Sequence, residues 1–235
     1  MPRRPRIHLP ETPLHLVQRG HNRQPCFFEQ ADYQAYLHWL GDALRQSGCA
    51  LHAYVLMTNH VHLLLTPPGP RDVSQLMISL GRRYVQYINK SYQRTGTLWD
   101  SRYKASVVQS EHYLLLCQRY IELNPVRAGM VGDPALHRWS SYHGNALGQQ
   151  DELITPHSLY LGIAPTAEER QESYRALFRY PLGDGIISDI RMATGQGQPL
   201  GNKRFMEKIE QVTGQRRETK ARGRPRKMSS SIENL

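Results

Sequence analysis

The stretch TNHVHLLLT, residues 58–66, places two histidines one residue apart at the head of an apolar run. In a strand, side chains alternate between faces, so His60, His62 and Leu64 share one face while Val61, Leu63 and Leu65 share the other. Two imidazoles side by side on one strand face suit a metal ion. The same pattern also suits a pair of half-buried, hydrogen-bonded structural histidines.

Working outward, CALHAYVLM (49–57) reads as the strand before it, joined by a tight connection at Thr58 and Asn59. Further upstream, PLHLVQR (13–19) is a strand closed by Gly20. Between them, residues 30–47 carry Tyr33, Tyr36, Leu37, Leu40 and Leu44 at helical spacing, with Gly48 as the stop. Downstream, PPGPRD (67–72) is a break, and residues 73–90 form a second amphipathic helix. A fourth strand follows near 104–108. A third helix spans 111–124, and Pro125 marks its end. The order β-α-β-β-α-β followed by a helix predicts an α+β, ferredoxin-like fold: one antiparallel sheet with helices on one face.

Past residue 132 the periodicity weakens. Residues 137–145 read as a loop. Thr166 and Glu169 form a capping signature for a helix over 165–180, and two short helices follow around IISDIRMAT and NKRFMEKIEQVTG. From 215 onward few apolar residues remain, which predicts disorder without a ligand. The expected organisation is a domain over 1–145, a helical extension over 146–214 and a basic tail over 215–235.

Composition narrows the function. The chain has 235 residues and a net charge of +10, with a pI near 9.7. Such a balance favours a polyanionic partner, nucleic acid first and an anionic membrane second. Residues 203–227 hold ten Lys or Arg against three Glu, so this segment carries most of the surplus. No apolar run reaches the ~20 residues that span a bilayer. The basic N-terminus lacks an apolar signal segment. Cys26, Cys49 and Cys117 form no CxxC pair. These features predict a cytoplasmic, nucleoid-associated protein and no cysteine-based zinc site.

Tyr120 and Asn124 lie four apart, on one face of the third helix near its C-terminus. If that helix packs beside the histidine strand, a phenol and an amide oxygen face the imidazoles. Alternatively, Tyr120 is a core residue and Asn124 only ends the helix.

The combination AYVLMTNHVHLLL (53–65) and QRYIELNPVRAGMV (118–131) resembles the single-tyrosine HUH transposases, and more narrowly the REP-associated tyrosine transposases. GHNRQPCFF (20–28), GRRYVQYIN (81–89), GTLWDSRYKA (96–105) and RWSSY (138–142) fit the same pattern, so the resemblance covers roughly residues 6–145. It implies that His60 and His62 are metal ligands, that Tyr120 is the nucleophile, and that Asn124 is a further ligand. Some relatives have Gln at the last of these positions. It also implies a divalent cofactor, Mg²⁺ or Mn²⁺, and single-stranded or hairpin DNA of REP type as partner. The product would be a 5′-phosphotyrosine with a free 3′-hydroxyl. Relatives act as dimers or as monomers, which leaves the oligomeric state open. Two other readings keep the same residues: a DNA binder that has lost chemistry, and a metal-dependent nuclease that uses water.

Arg19, Arg23, Arg82, Arg83, Arg102 and Lys104 lie in the matching segments and are candidates for phosphate contacts. Tyr84, Trp99 and Tyr103 are candidates for base stacking, with core packing as the alternative. RGRPRK (222–227) resembles an AT-hook core, in which Arg222, Arg224 and Arg226 would enter a minor groove; a general basic tail is the alternative.

Overall fold

A computed structural model describes residues 6–214. Strand β1 (Leu14–Arg19) leads into helix α1 (Gln30–Ser47), then β2 (Ala50–Met57), β3 (His60–Thr66), α2 (Asp72–Ser91) and β4 (Lys104–Val107). The strands form one antiparallel sheet in the order β2-β3-β1-β4. This is the expected split β-α-β arrangement, with β1 and β3 paired at the centre.

The alternation read in the sequence sets the two faces. Leu14, Leu16, Leu63 and Leu65 point to one side, where they pack with Tyr36 and Leu40 of α1 and Leu76, Leu80 and Tyr84 of α2. Burying each such side chain contributes roughly 1.5–3 kcal/mol. Val55 and Leu64 point to the other side, which is also covered. Helix α3 (Ser110–Glu122) lays Leu114, Cys117 and Ile121 on it, and α8 (Asp184–Gln196) adds Ile190 and Ala193. Helices therefore cover both faces, where the sequence reading placed them on one. The apolar residues on both faces of β3 need a cover on each side.

Two local boundaries also differ from expectation. Helix α3 stops at Glu122, and Pro125 opens a further short turn, α4 (Asn124–Arg127), near its N-terminus. A proline fits a first helical turn because its missing N–H would have no partner there. Residues 137–145 are not wholly loop, since α5 (Tyr142–Leu147) begins inside them.

The remaining chain forms α6 (Ser158–Leu161), which packs on α3, α7 (Ala167–Ala176), which packs on α5, and α9 (Lys203–Thr213), whose Phe205 and Ile209 join the core on the α1 and α2 side. Thr166 and Glu169 make the expected reciprocal capping box on α7. This part of the chain also covers the sheet edges. Along β2, Leu56 N donates to Trp139 O and Thr155 N to Leu51 O. Along β4, Leu200 N donates to Val107 O and Gln109 N to Leu200 O. Both outer strands thus gain backbone partners that an open edge would lack.

Candidate active site

β3 carries His60 and His62 to the face shared by α3 and α8, and the register sets their neighbours. His62 stands opposite Val17 and Val55, and His60 opposite Arg19 and Met57. The two imidazole centroids are 5.1 Å apart. A third histidine joins them from β1: His15 stacks on His62 at 5.0 Å, and its Nε2 lies 2.7 Å from His62 Nδ1. Burial lowers the pKa of His15 to about 3 and, with help from Arg19, that of His60 to about 4. His62 falls well below its ordinary value through burial first, and then because a charge on its ring would be repelled by His15, His60, Arg127 and Arg19. All three rings are neutral at pH 7, the form that coordinates metals.

Tyr120, on the last turn of α3, meets this group edge-on. Its ring centroid is 6.0 Å from those of both His15 and His62. Asn124 caps the same turn, its Nδ2 donating to Tyr120 O at 3.0 Å and Ile121 O at 3.3 Å. The amide nitrogen is thereby engaged with the helix end, and among the described residues its Oδ1 has no hydrogen-bond partner. Arg127 folds back over Tyr120, with its guanidinium carbon 4.1 Å from the ring centroid.

These residues line a cleft of about 790 Å³. Of the residues singled out in the sequence, the fold brings His60, His62, Tyr120, Asn124, Arg19, Arg23, Arg102 and Lys104 to it. Arg82 and Arg83 do not line it. They sit on α2, across the sheet, where Arg83 Nη1 pairs with Asp42 at 3.0 Å. Tyr84, Trp99 and Tyr103 are buried in the core under α1 and α2, so packing, not base stacking, accounts for them. Arg222, Arg224 and Arg226 lie outside the described residues.

The cleft also holds residues that the sequence reading passed over. Arg127 and Arg191 bring the lining cations to six, against the single carboxylate of Asp100. Arg127 lies within QRYIELNPVRAGMV (118–131). His15 lay in a strand already identified, but its meaning depends on the β1–β3 register. Arg191 and Thr194 come from α8, and nothing local in the sequence ties them to this site.

The loop behind the cleft explains the GHNRQPCFF segment. Gly20 N donates to Asn59 O at 2.8 Å, and Cys26 N donates to Thr58 O at 2.9 Å, locking the loop onto the β2–β3 turn. A Cβ at Gly20 would run into the backbone carbonyl oxygen of Gln24. Asn22 and Arg23 adopt left-handed backbone angles, φ 50° and 61°, to complete the turn. Asn59 Nδ2 donates to Arg23 O at 2.9 Å, and Asn59 Oδ1 lies 2.6 Å from His60 Nδ1. One asparagine therefore ties the loop to the first histidine.

Among the described residues, no helix is long and apolar enough to cross a membrane. None of their His, Cys, Asp or Glu side chains form a group of three or more arranged to hold a metal ion.

No curated protein matches the chain. Among solved structures, a REP-associated tyrosine transposase bound to a REP hairpin is similar at 18% identity and a TM-score of 0.56; the match covers 67% of this chain and 93% of the other. A candidate transposase from Deinococcus radiodurans R1 is similar at 28% identity and a TM-score of 0.36, over 52% of this chain and 96% of the other. The family described as "Transposase IS200 like" matches residues 9–124, a span that runs from β1 through His60, His62 and Tyr120 to Asn124. Over these residues the chain belongs to the IS200-like transposase family.

Proposed function

We propose that this chain is a metal-dependent single-stranded DNA endonuclease and strand transferase that acts on REP-like hairpins through Tyr120. The observation that carries the reading is the seat of Tyr120, edge-on and 6.0 Å from His62, in a cleft walled by cations. Tyr120 is largely buried, yet it lines the cleft in which a substrate would lie. The REP hairpin held by the solved relative supports the substrate class.

The donor set fits a divalent cation. His60 and His62 are neutral, and each has Nδ1 engaged by a neighbour, Asn59 or His15, which leaves Nε2 for coordination. Asn124 Oδ1 is the protein oxygen at hand. Mixed nitrogen and oxygen donors suit Mn²⁺, with Mg²⁺ accepted where oxygens complete the sphere. When bound, such an ion withdraws charge from the scissile phosphate and aligns it.

The chain's own residues supply the rest. Tyr120 Oη attacks phosphorus and its proton leaves to solvent. The P–O3′ bond breaks, the 3′-oxygen takes up a proton, and a 5′-phosphotyrosine forms. Attack of a 3′-hydroxyl on that ester reverses the step and restores the phenol, so joining needs no external energy source. Arg127, over the Tyr120 ring, favours the negative charge that develops on the phenol oxygen. Arg19, Arg23, Arg102 and Lys104 hold the strand by its phosphates.

The test is cleavage of a REP-type oligonucleotide with Mn²⁺ or Mg²⁺, run on a denaturing gel that keeps protein attached, with Tyr120→Phe alongside. The expected result is a metal-dependent covalent band that vanishes in the variant. Binding without an adduct would instead mark a non-catalytic REP binder. Free cleaved DNA that persists in Tyr120→Phe would mean that water is the nucleophile.

A further inference from the structure

Thr194 of α8 lies outside the span matched by the family, yet it bonds to the histidine cluster. Its Oγ1 donates to Ile190 O at 2.8 Å, one turn back along its own helix. A hydroxyl has one proton, so toward His15 Nδ1, 3.0 Å away, the same oxygen can only accept. His15 Nδ1 therefore carries a hydrogen. His15 is 1% exposed, and such burial disfavours a charged ring, so its Nε2 is bare. The 2.7 Å bond to His62 must then be donated by His62 Nδ1–H. A neutral His62 with its hydrogen on Nδ1 has its lone pair on Nε2. His60 reaches the same form independently. Asn59 gives its amide hydrogens to Arg23 O at 2.9 Å and turns Oδ1 to His60 Nδ1 at 2.6 Å.

We propose that Thr194 and His15 are positioning residues: the chain Ile190–Thr194–His15 holds His62 in the Nδ1–H tautomer and keeps its Nε2 unprotonated for a divalent cation. This inference rests on the reading of His60 and His62 as cation ligands. It makes α8 part of the active site, although that helix lies well beyond the catalytic helix in sequence. Loss of such an orienting partner typically costs 10–100-fold in metal affinity.

The experiment uses the full-length chain, labelled with ¹⁵N-histidine. Long-range ¹H–¹⁵N NMR of the metal-free protein reads each ring's tautomer, with His15→Gln and His62→Gln assigning the signals. Mn²⁺ alone is then titrated by EPR into wild type, Thr194→Ser, Thr194→Val and His62→Ala. The expected result is Nδ1–H at both His15 and His62 in wild type and Thr194→Ser, with Mn²⁺ affinity unchanged by the serine. Thr194→Val should populate the Nε2–H form of His62 and weaken Mn²⁺ about tenfold. Finding His62 in the Nε2–H form in wild type overturns the proposal, and needs no variant to fold. Wild-type Mn²⁺ affinity in a folded Thr194→Val, with affinity abolished in His62→Ala, overturns the relay alone. Unchanged affinity in His62→Ala removes the ligand reading itself and the relay's purpose with it.

Discussion

Arg127 lies over Tyr120: the guanidinium carbon is 4.1 Å from the ring centroid, and Nη1 donates to the carbonyl oxygen of Tyr120 at 3.3 Å. The contact exists because α3 breaks at Leu123 and the short turn α4 sends the chain back across the last turn of α3. A planar cation thus sits against the ring whose oxygen would gain charge in attack, and the backbone bond holds it there.

Replacing Arg127 tests this placement. Arg127→Ala should slow covalent adduct formation by up to roughly 30-fold, since an interaction of this kind is worth up to about 2 kcal/mol when desolvated. Arg127→Lys should restore only part of the rate, because an ammonium cannot both stack and reach the carbonyl as a planar fork does. Single-turnover rates on a REP-type oligonucleotide measure both variants. Equal rates for Arg127→Ala and wild type would rule out any role for this residue in the attack.

Glu122 gives a pH signature. Its carboxylate is fully buried, and burial raises its pKa from 4.5 to about 7 despite bonds donated by Ser141 at 2.6 Å, Asn145 at 2.9 Å and Tyr174 at 2.8 Å. The folded state holds this proton more tightly than the unfolded chain. The group therefore adds stability that is complete below pH 4.5 and lost as pH rises through about 7, on the order of 3 kcal/mol in all. The buried histidines act in the opposite sense, since their stability is present above pH 6.5 and lost as pH falls toward their lowered values. Comparing Glu122→Gln with wild type isolates the carboxylate. Urea unfolding at pH 5 and pH 8 should show the variant gaining most of this amount relative to wild type at the higher pH. A pH-independent difference would mean that the carboxylate titrates normally.

The cleft cations should act on DNA binding and those of α2 should not. Arg102→Ala and Lys104→Ala should each weaken single-strand binding. Each should also flatten the salt dependence, lowering its slope by roughly 0.7 if the side chain neutralises one phosphate. Arg83→Ala should leave that slope unchanged. It should cost less than about 1 kcal/mol of stability, because its pair with Asp42 is partly exposed, at 40% and 27%. Fluorescence anisotropy at several salt concentrations, alongside thermal melts, separates the two groups. A full phosphate-sized change in slope for Arg83→Ala would extend the binding surface across the sheet.

Gly20→Ala should disturb the loop without touching the histidines directly. The added methyl would meet the carbonyl oxygen of Gln24, a backbone atom that cannot swing aside. A cost of about 1–3 kcal/mol is expected, as for other overpacked sites. DNA affinity should fall as well, because the same loop carries Arg23 to the cleft. A melting temperature equal to that of wild type would show that the loop relaxes freely.

The sequence by itself determined the order of strands and helices and the face on which His60 and His62 stand. Those properties follow from short-range periodicity, and each is fixed within a few residues. The Tyr120–Asn124 pairing was legible for the same reason, as two positions one turn apart. Only the tertiary structure decided which partners meet across the sheet. His15 became significant when β1 and β3 paired and set it 2.7 Å from His62. Arg82 and Arg83 sit in a matching segment, but the sheet separates them from the cleft. The role of Glu122 emerged only when Ser141, at the N-terminal edge of α5, Asn145 of α5 and Tyr174 of α7 converged on it. Thr194 and Arg191 had no sequence signal, because their place depends on α8 returning to a sheet completed far earlier in the chain. Periodicity reports which face a residue occupies on its own element. The neighbours on that face are set by packing between elements, which no local pattern encodes.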